Sequence, residues 1–163
     1  LQDGGLTVQL VNTGPLRQGV LSADHVSIDH SDRWMSWTVD VLNAQESAVY
    51  IGVSKASRWN HKGLTLGWSI TGHFMFGNSP RYTPIMTSPR ETFDPVSKVR
   101  VEVDLDAQTV RWVPLGFDEG SRPPPPVQRS LKNPNNSGRR RDAWESARLW
   151  VSLLHPGDRV RVS

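Results

Sequence analysis

Cysteine is absent from the 163-residue chain. That excludes a disulfide framework, a thiol nucleophile, and any zinc or iron–sulfur centre held by cysteine. Long apolar runs are missing as well. No stretch approaches the roughly 18 apolar residues of a transmembrane helix, and hydrophobic residues make up only 36% of the chain. No membrane association is expected. No charged-then-apolar leader is present and the chain opens on Leu1 rather than Met, so it reads as a piece of a longer protein. A phosphate-cradling glycine-rich loop is also lacking. The run Gly67-Trp68-Ser69-Ile70-Thr71 has threonine where a nucleophile elbow needs its second glycine, which removes that hydrolase signal.

Acidic residues are missing from one window in particular. The whole chain carries a formal charge of +3. Between Ser121 and Arg141 there is no Asp or Glu, while Arg122, Arg129, Lys132, Arg139, Arg140 and Arg141 contribute +6, so the rest sums to −3. The window also holds Pro123 to Pro126 and the polar run Asn133 to Gly138. With Val127 and Leu131 as its apolar residues, it has little burial to offset the entropy of ordering. Residues 118–141 therefore read as one basic, proline-rich loop inserted in a mildly acidic body. The proline run would be extended and serve as a spacer.

Helical periodicity is scarce and period-2 patterning is abundant. Trp34 to Leu42 alternates Met35, Trp37, Val39 and Val41 with a mixed face of Trp34, Ser36, Thr38, Asp40 and Leu42. Ala48 to Val53 is a short β-branched run, and Gly67 to Phe76 carries strand-like aromatics interrupted at Gly72. Val99, Val101, Val103 and Leu105 alternate with charged residues, and Asp106-Ala107-Gln108 turns the chain into Thr109 to Val113, a hairpin. Leu149 to Leu154 and Arg159 to Val162 flank His155-Pro156-Gly157-Asp158, with proline and glycine where a type II turn places them. Asp142-Ala143-Trp144-Glu145 has the form of a capping box and predicts one short helix. Short strands with Gly/Pro turns and no βαβ alternation predict an all-β antiparallel sandwich, with at most one or two short helices, formed as a single domain over residues 1–163.

The order of these segments resembles the SPRY family. Trp37-Thr38-Val39-Asp40-Val41, followed by Ala48-Val49-Tyr50-Ile51-Gly52-Val53-Ser54-Lys55-Ala56, is similar to that family's aromatic-rich strand and its Ile-Gly-Val strand. Gly67-Trp68-Ser69-Ile70, the Lys98-to-Val110 hairpin and the closing strands at Leu149-Trp150-Val151-Ser152-Leu153 and Pro156 to Val162 continue the pattern. Ser97-Lys98-Val99-Arg100 and Trp112-Val113-Pro114-Leu115-Gly116 depart from it at either end of the hairpin, the mark of a divergent member. The resemblance implies a bent, jelly-roll-type β-sandwich that binds partner proteins through loops at one end. It also implies a place in a larger protein, as a ubiquitin-ligase substrate recruiter or a scaffold, with an intracellular, cytoplasmic location.

Glu102, Asp104 and Asp106 share a strand face. They approach the Glu-x-Asp-x-x-Glu of sandwich glycosidases, but Ala107 stands where the second glutamate is required. They read as the solvent-facing side of a hairpin, and no catalytic residue is assigned. Asp24, His25, Asp29, His30 and Asp32 fall within nine residues, at no spacing suited to zinc or calcium. Neither metal nor cofactor is expected.

Arg58-Trp59-Asn60-His61 falls in the connection after the Ile51-Gly52-Val53 strand, and Arg81-Tyr82 falls in a second loop. Trp, Tyr and Arg are the residue types most enriched at interface hot spots. These six residues are the candidate partner-binding set, for a peptide ligand held by a domain that is itself monomeric. Ser79, Thr83 and Ser88, each followed by proline, are candidate phosphorylation sites. Arg139, Arg140 and Arg141 are candidate nucleic-acid contacts in an alternative reading, and a glycan-binding sandwich with Trp59 as its exposed platform is a third.

Overall fold

The computed structural model describes residues 6–10, 18–45, 49–58, 61–77, 80, 85–87, 95–116, 125–131 and 143–163. These form the strands β1 (Leu6–Gln9), β2 (Gln18–Ser27), β3 (Trp34–Asn43), β4 (Tyr50–Ser54), β5 (Thr65–Ser69) and β6 (Phe74–Gly77). They continue with β7 (Ile85–Thr87), β8 (Lys98–Asp104), β9 (Thr109–Gly116), β10 (Val127–Ser130), β11 (Ser146–Leu153) and β12 (Arg159–Val162). A front sheet has the order β1-β12-β3-β8-β9-β10 and a back sheet the order β2-β11-β4-β5-β6-β7, every pairing antiparallel. The expected all-β sandwich is what forms.

Alternation builds the core. On the front sheet Trp37, Val39, Val99, Val101, Val103, Val110, Trp112 and Val160 point inward and are buried. Ile51, Val53, Trp68, Leu149, Val151 and Leu153 of the back sheet meet them in one cluster. Each such side chain contributes about 1.5–3 kcal/mol by leaving water. Trp112 joins the layers: its Nε1 donates to the Ile51 carbonyl across the sandwich at 3.1 Å. Its ring also stacks on Trp68 at 6.5 Å and meets the edge of Phe74 at 5.7 Å. A buried indole N–H would otherwise be left unpaired, so this bond fixes the spacing of the sheets at their centre.

The predicted turns form as the residues require. Gly157 takes φ +88 and Asp158 N donates to His155 O at 3.0 Å, which closes the Pro-Gly turn. The Asp158 carboxylate is buried behind that turn and accepts from the backbone N–H groups of Gln45 at 2.8 Å and His155 at 2.9 Å.

Two expectations need correction. No α-helix occurs among the described residues: Ala143 to Glu145 run without a helical turn into β11. Trp144 is buried there, so its burial as an extended residue outweighs the local capping signal. The basic window is not one loop either, because Val127 to Ser130 pair with Trp112 to Thr109 as the edge strand β10. Leu131 follows it into the core and is fully buried. Two apolar residues sufficed once β9 offered a free edge. β1, β2 and β7 are sheet-edge strands that local patterning does not announce; β1 and β2 take their partners, β12 and β11, from the far end of the chain, and β7 pairs with the preceding β6.

Candidate functional site

Strand register decides which connections share an end of the sandwich. Ser54 pairs with Thr65, and Thr65 pairs with Gly77. The β4–β5 connection, which carries Arg58 and His61, therefore leaves the back sheet at the same end as the β6–β7 connection. The turn from β2 to β3 and the β8–β9 turn reach this end as well. Leu105 N donates to Arg33 O at 2.8 Å, and Ile28 N donates to Glu145 O at 2.9 Å.

The foot of the β4–β5 connection is held tightly. Ser54 and Thr65 hydroxyls lie 2.7 Å apart in a buried hydrogen bond, and Ser54 Oγ also accepts from Ala56 N at 3.1 Å. Lys55 N donates to Leu64 O at 2.9 Å. Gly63 packs against the Ala56 backbone so closely that a Cβ would lie 2.5 Å from its nitrogen. Beyond this foot, His61 N donates to Arg58 O at 3.1 Å, closing a four-residue turn, and Ser57 Oγ lies 3.1 Å from His61 Nδ1. Arg58 and His61 are both exposed. Trp59 and Asn60 lie outside the described residues.

The second connection is tied to the back sheet through Pro80, whose carbonyl accepts from Trp150 Nε1 at 3.1 Å. Trp150 stands on the sheet's outer face in the row Trp150, Gly52, Gly67, Met75. Its ring lies where any Cβ on Gly67 would collide with Cζ3. Glycine at 67 makes room for the indole, and the indole holds Pro80. Arg81, Tyr82, Ser79, Thr83 and Ser88 lie outside the described residues, as do Arg139, Arg140 and Arg141.

Gln108 joins both feet of the connection between β10 and β11. It takes φ 56, the one positive value for a non-glycine among the described residues. Its carbonyl accepts from Leu131 N at 2.8 Å. Its side-chain amide donates to Leu105 O at 2.7 Å and Trp144 O at 2.9 Å, and accepts from Trp144 N at 2.7 Å. Composition carries no signal for such a clamp.

The acidic residues have structural employment. Glu102 faces two arginines, Asp104 Oδ1 accepts from Ala107 N at 3.0 Å in the hairpin turn, and Asp106 pairs with Arg33 at 3.2 Å. The rings of His25 and His30 approach to 5.2 Å. Among the described residues, no three His, Asp or Glu side chains are grouped to hold a metal ion.

Trp37, Trp68 and Trp150 are buried, but Trp34 is 52% exposed on the outer face of the front sheet. An exposed tryptophan among polar neighbours is thus not confined to position 59. The signal was present in the mixed face of β3, where Trp34 has the parity of Ser36, Thr38 and Asp40.

No family model and no curated protein matches the chain. Among solved structures, the SPRY domain of human HERC1 superposes with a TM-score of 0.57 over 93% of this chain and 84% of that one, at 13% sequence identity. At that identity the likeness is one of fold: the chain has a SPRY-like β-sandwich.

Proposed function

We propose that the chain is a non-catalytic protein-interaction module that captures a partner peptide at the end of the sandwich where the β4–β5 and β6–β7 connections emerge. The register Ser54–Thr65–Gly77 supports this reading, because the β4–β5 and β6–β7 connections leave the back sheet at the same end. The buried Ser54–Thr65 bond and the Trp150–Pro80 bond support it, since they anchor both connections on a rigid base and lower the entropy lost on binding. Arg58 and Arg81 would supply charge-assisted hydrogen bonds to a partner carboxylate or backbone, with Trp59 and Tyr82 as aromatic anchors and Asn60 and His61 as polar contacts. In a longer intracellular protein such a module recruits, either as the substrate-binding part of a ubiquitin ligase or as a scaffold piece.

Affinity capture from extracts of the source cells tests this, using wild-type protein beside Trp59→Ala/Arg81→Ala. Loss of specific partners from the variant, at unchanged thermal stability, is the expected result. Identical partner sets from both proteins would remove this end of the sandwich as the binding surface.

A further inference from the structure

We infer that the outer face of the front sheet is a second interaction surface, built to take an extended acidic segment of a partner protein. It is separate from the loop end proposed above and stands or falls independently of it.

Across β12, β3 and β8, Arg161, Asp40 and Lys98 are direct register partners, with Asp40 oxygens 3.3 Å from Arg161 and 3.6 Å from Lys98. On β8 and β9, Glu102 lies 2.8 Å from Arg100 and 3.9 Å from its register partner Arg111. Each carboxylate is therefore shared between two cations, and each triad keeps one positive charge.

Depth reinforces the imbalance. The Asp40 and Glu102 side chains are 19% and 15% exposed, whereas the four cations stand between 40% and 46% exposed. At both triads an approaching molecule meets guanidinium and ammonium groups first; Asp104, the register partner of Trp34, is the further carboxylate of this face and accepts from Ala107 N. The chain outside residues 121–141 sums to −3, so this face is opposite in sign to the body that carries it, and charge there is segregated by surface.

Geometry narrows the ligand. Lys98 and Arg100 occupy alternate positions of one strand, about 6.6–6.8 Å apart, which is also the repeat of same-side residues in an extended peptide. Alternate carboxylates of such a peptide match the two cations in step, and the arginine fork suits a carboxylate bidentately. Trp34 lies on the same face, two residues before Ser36, the register partner of Glu102. At 52% exposure it offers an aromatic surface to an apolar side chain at the end of the acidic run. Single-stranded nucleic acid fits less well, because stacking of successive bases needs successive aromatic platforms.

The test uses the full chain with Arg139, Arg140 and Arg141 changed to serine, so that the basic insertion does not supply the signal. Its probe is a labelled oligo-glutamate peptide ending in leucine, followed by fluorescence anisotropy. Binding that weakens with added salt is expected. Lys98→Ala/Arg111→Ala should weaken it by about fivefold, and Trp34→Ala by about threefold or more. Lys98 and Arg111 are chosen because Asp40 keeps Arg161 and Glu102 keeps Arg100, so neither carboxylate loses its last cation. If the double variant melts early, Lys98→Gln/Arg111→Gln makes the same removal with more of the side chain retained. Peptide affinity unchanged in the charge variants, or insensitive to salt in the parent, overturns the inference. Tighter binding of a labelled oligothymidylate than of the peptide does so too, by assigning the face to nucleic acid.

Discussion

The two sheets have equal numbers of strands and opposite outer faces. In the front sheet, β8 alternates strictly between half-buried and buried residues, and its outer side carries Lys98, Arg100, Glu102 and Asp104 in contact with solvent. In the back sheet every residue of β4 is buried, on both sides. Its outer side holds Tyr50, Gly52 and Ser54, backed by Trp150 and Met75 in a small second core that Pro80 helps to close. One sheet is an ordinary amphipathic layer whose paired charges face solvent. The other gives its outer face to anchoring connections. The proposed ligand-binding roles divide along the same line: loops on the back sheet, flat surface on the front.

Substitutions can break or sharpen that contrast, and the largest effect falls where the sheets meet. Trp112→Ala should cost about 3–5 kcal/mol in chemical denaturation, through cavity formation and loss of the Ile51 bond, because Trp112 serves both sheets at once. A cost below about 1 kcal/mol would mean that the sheets do not depend on each other at their centre.

Next comes a matched pair of outer-face changes. Gly67→Ala in the back sheet drives a methyl into Trp150 and should cost about 1–3 kcal/mol. Ser36→Ala, at a half-buried outer position of β3, should stay within about 0.5 kcal/mol. Equal costs for the two would erase the distinction between the faces.

Gln108→Ala removes three side-chain hydrogen bonds, two to Trp144 at one foot of the β10–β11 connection and one to Leu105 O. A loss of about 1–3 kcal/mol is expected, together with faster proteolysis between residues 131 and 143. Unchanged proteolysis would show that other contacts hold that foot.

The smallest effect belongs to the front ion pairs. A double-mutant cycle on Arg161 and Asp40 should return a coupling below about 1 kcal/mol, since both groups touch solvent. A larger value would make the charges part of the fold's stability, in conflict with a face kept for binding.

Much of the front sheet was legible in sequence because one of its faces is wet. Val99, Val101 and Val103 alternate with charges, so β8 and the hairpin into β9 could be read directly, and β3 and β12 followed the same logic. Gly67 to Phe76 was read as one interrupted strand, whereas the chain turns at Ile70 to Gly72 and forms β5 and β6. Strands buried on both sides lose the period-2 signal on which such a reading depends. β10 was hidden for another reason: its stability comes from the open edge of β9, and a four-residue segment flanked by prolines has none of its own. Of the candidate site, the β4–β5 connection was legible from its polar composition and its position after the Ile-Gly-Val strand. The Trp150–Pro80 anchor and the Gln108 clamp were not legible, because each depends on residues brought together from distant parts of the chain, whereas the exposure of Trp34 lay in the mixed face of β3.

The sequence by itself determined an all-β sandwich without cysteine, the strands of its amphipathic layer, and a basic, proline-rich stretch. Local patterning carries these because each depends on residues a few positions apart. Only the tertiary structure decided where charge lies in space. Cations at Lys98, Arg100, Arg111 and Arg161 come from three strands, and they share a surface because antiparallel register aligns their outward parities while the carboxylates between them sink. A net charge sums over positions. A surface is made by pairing, and pairing is a long-range property that composition does not contain.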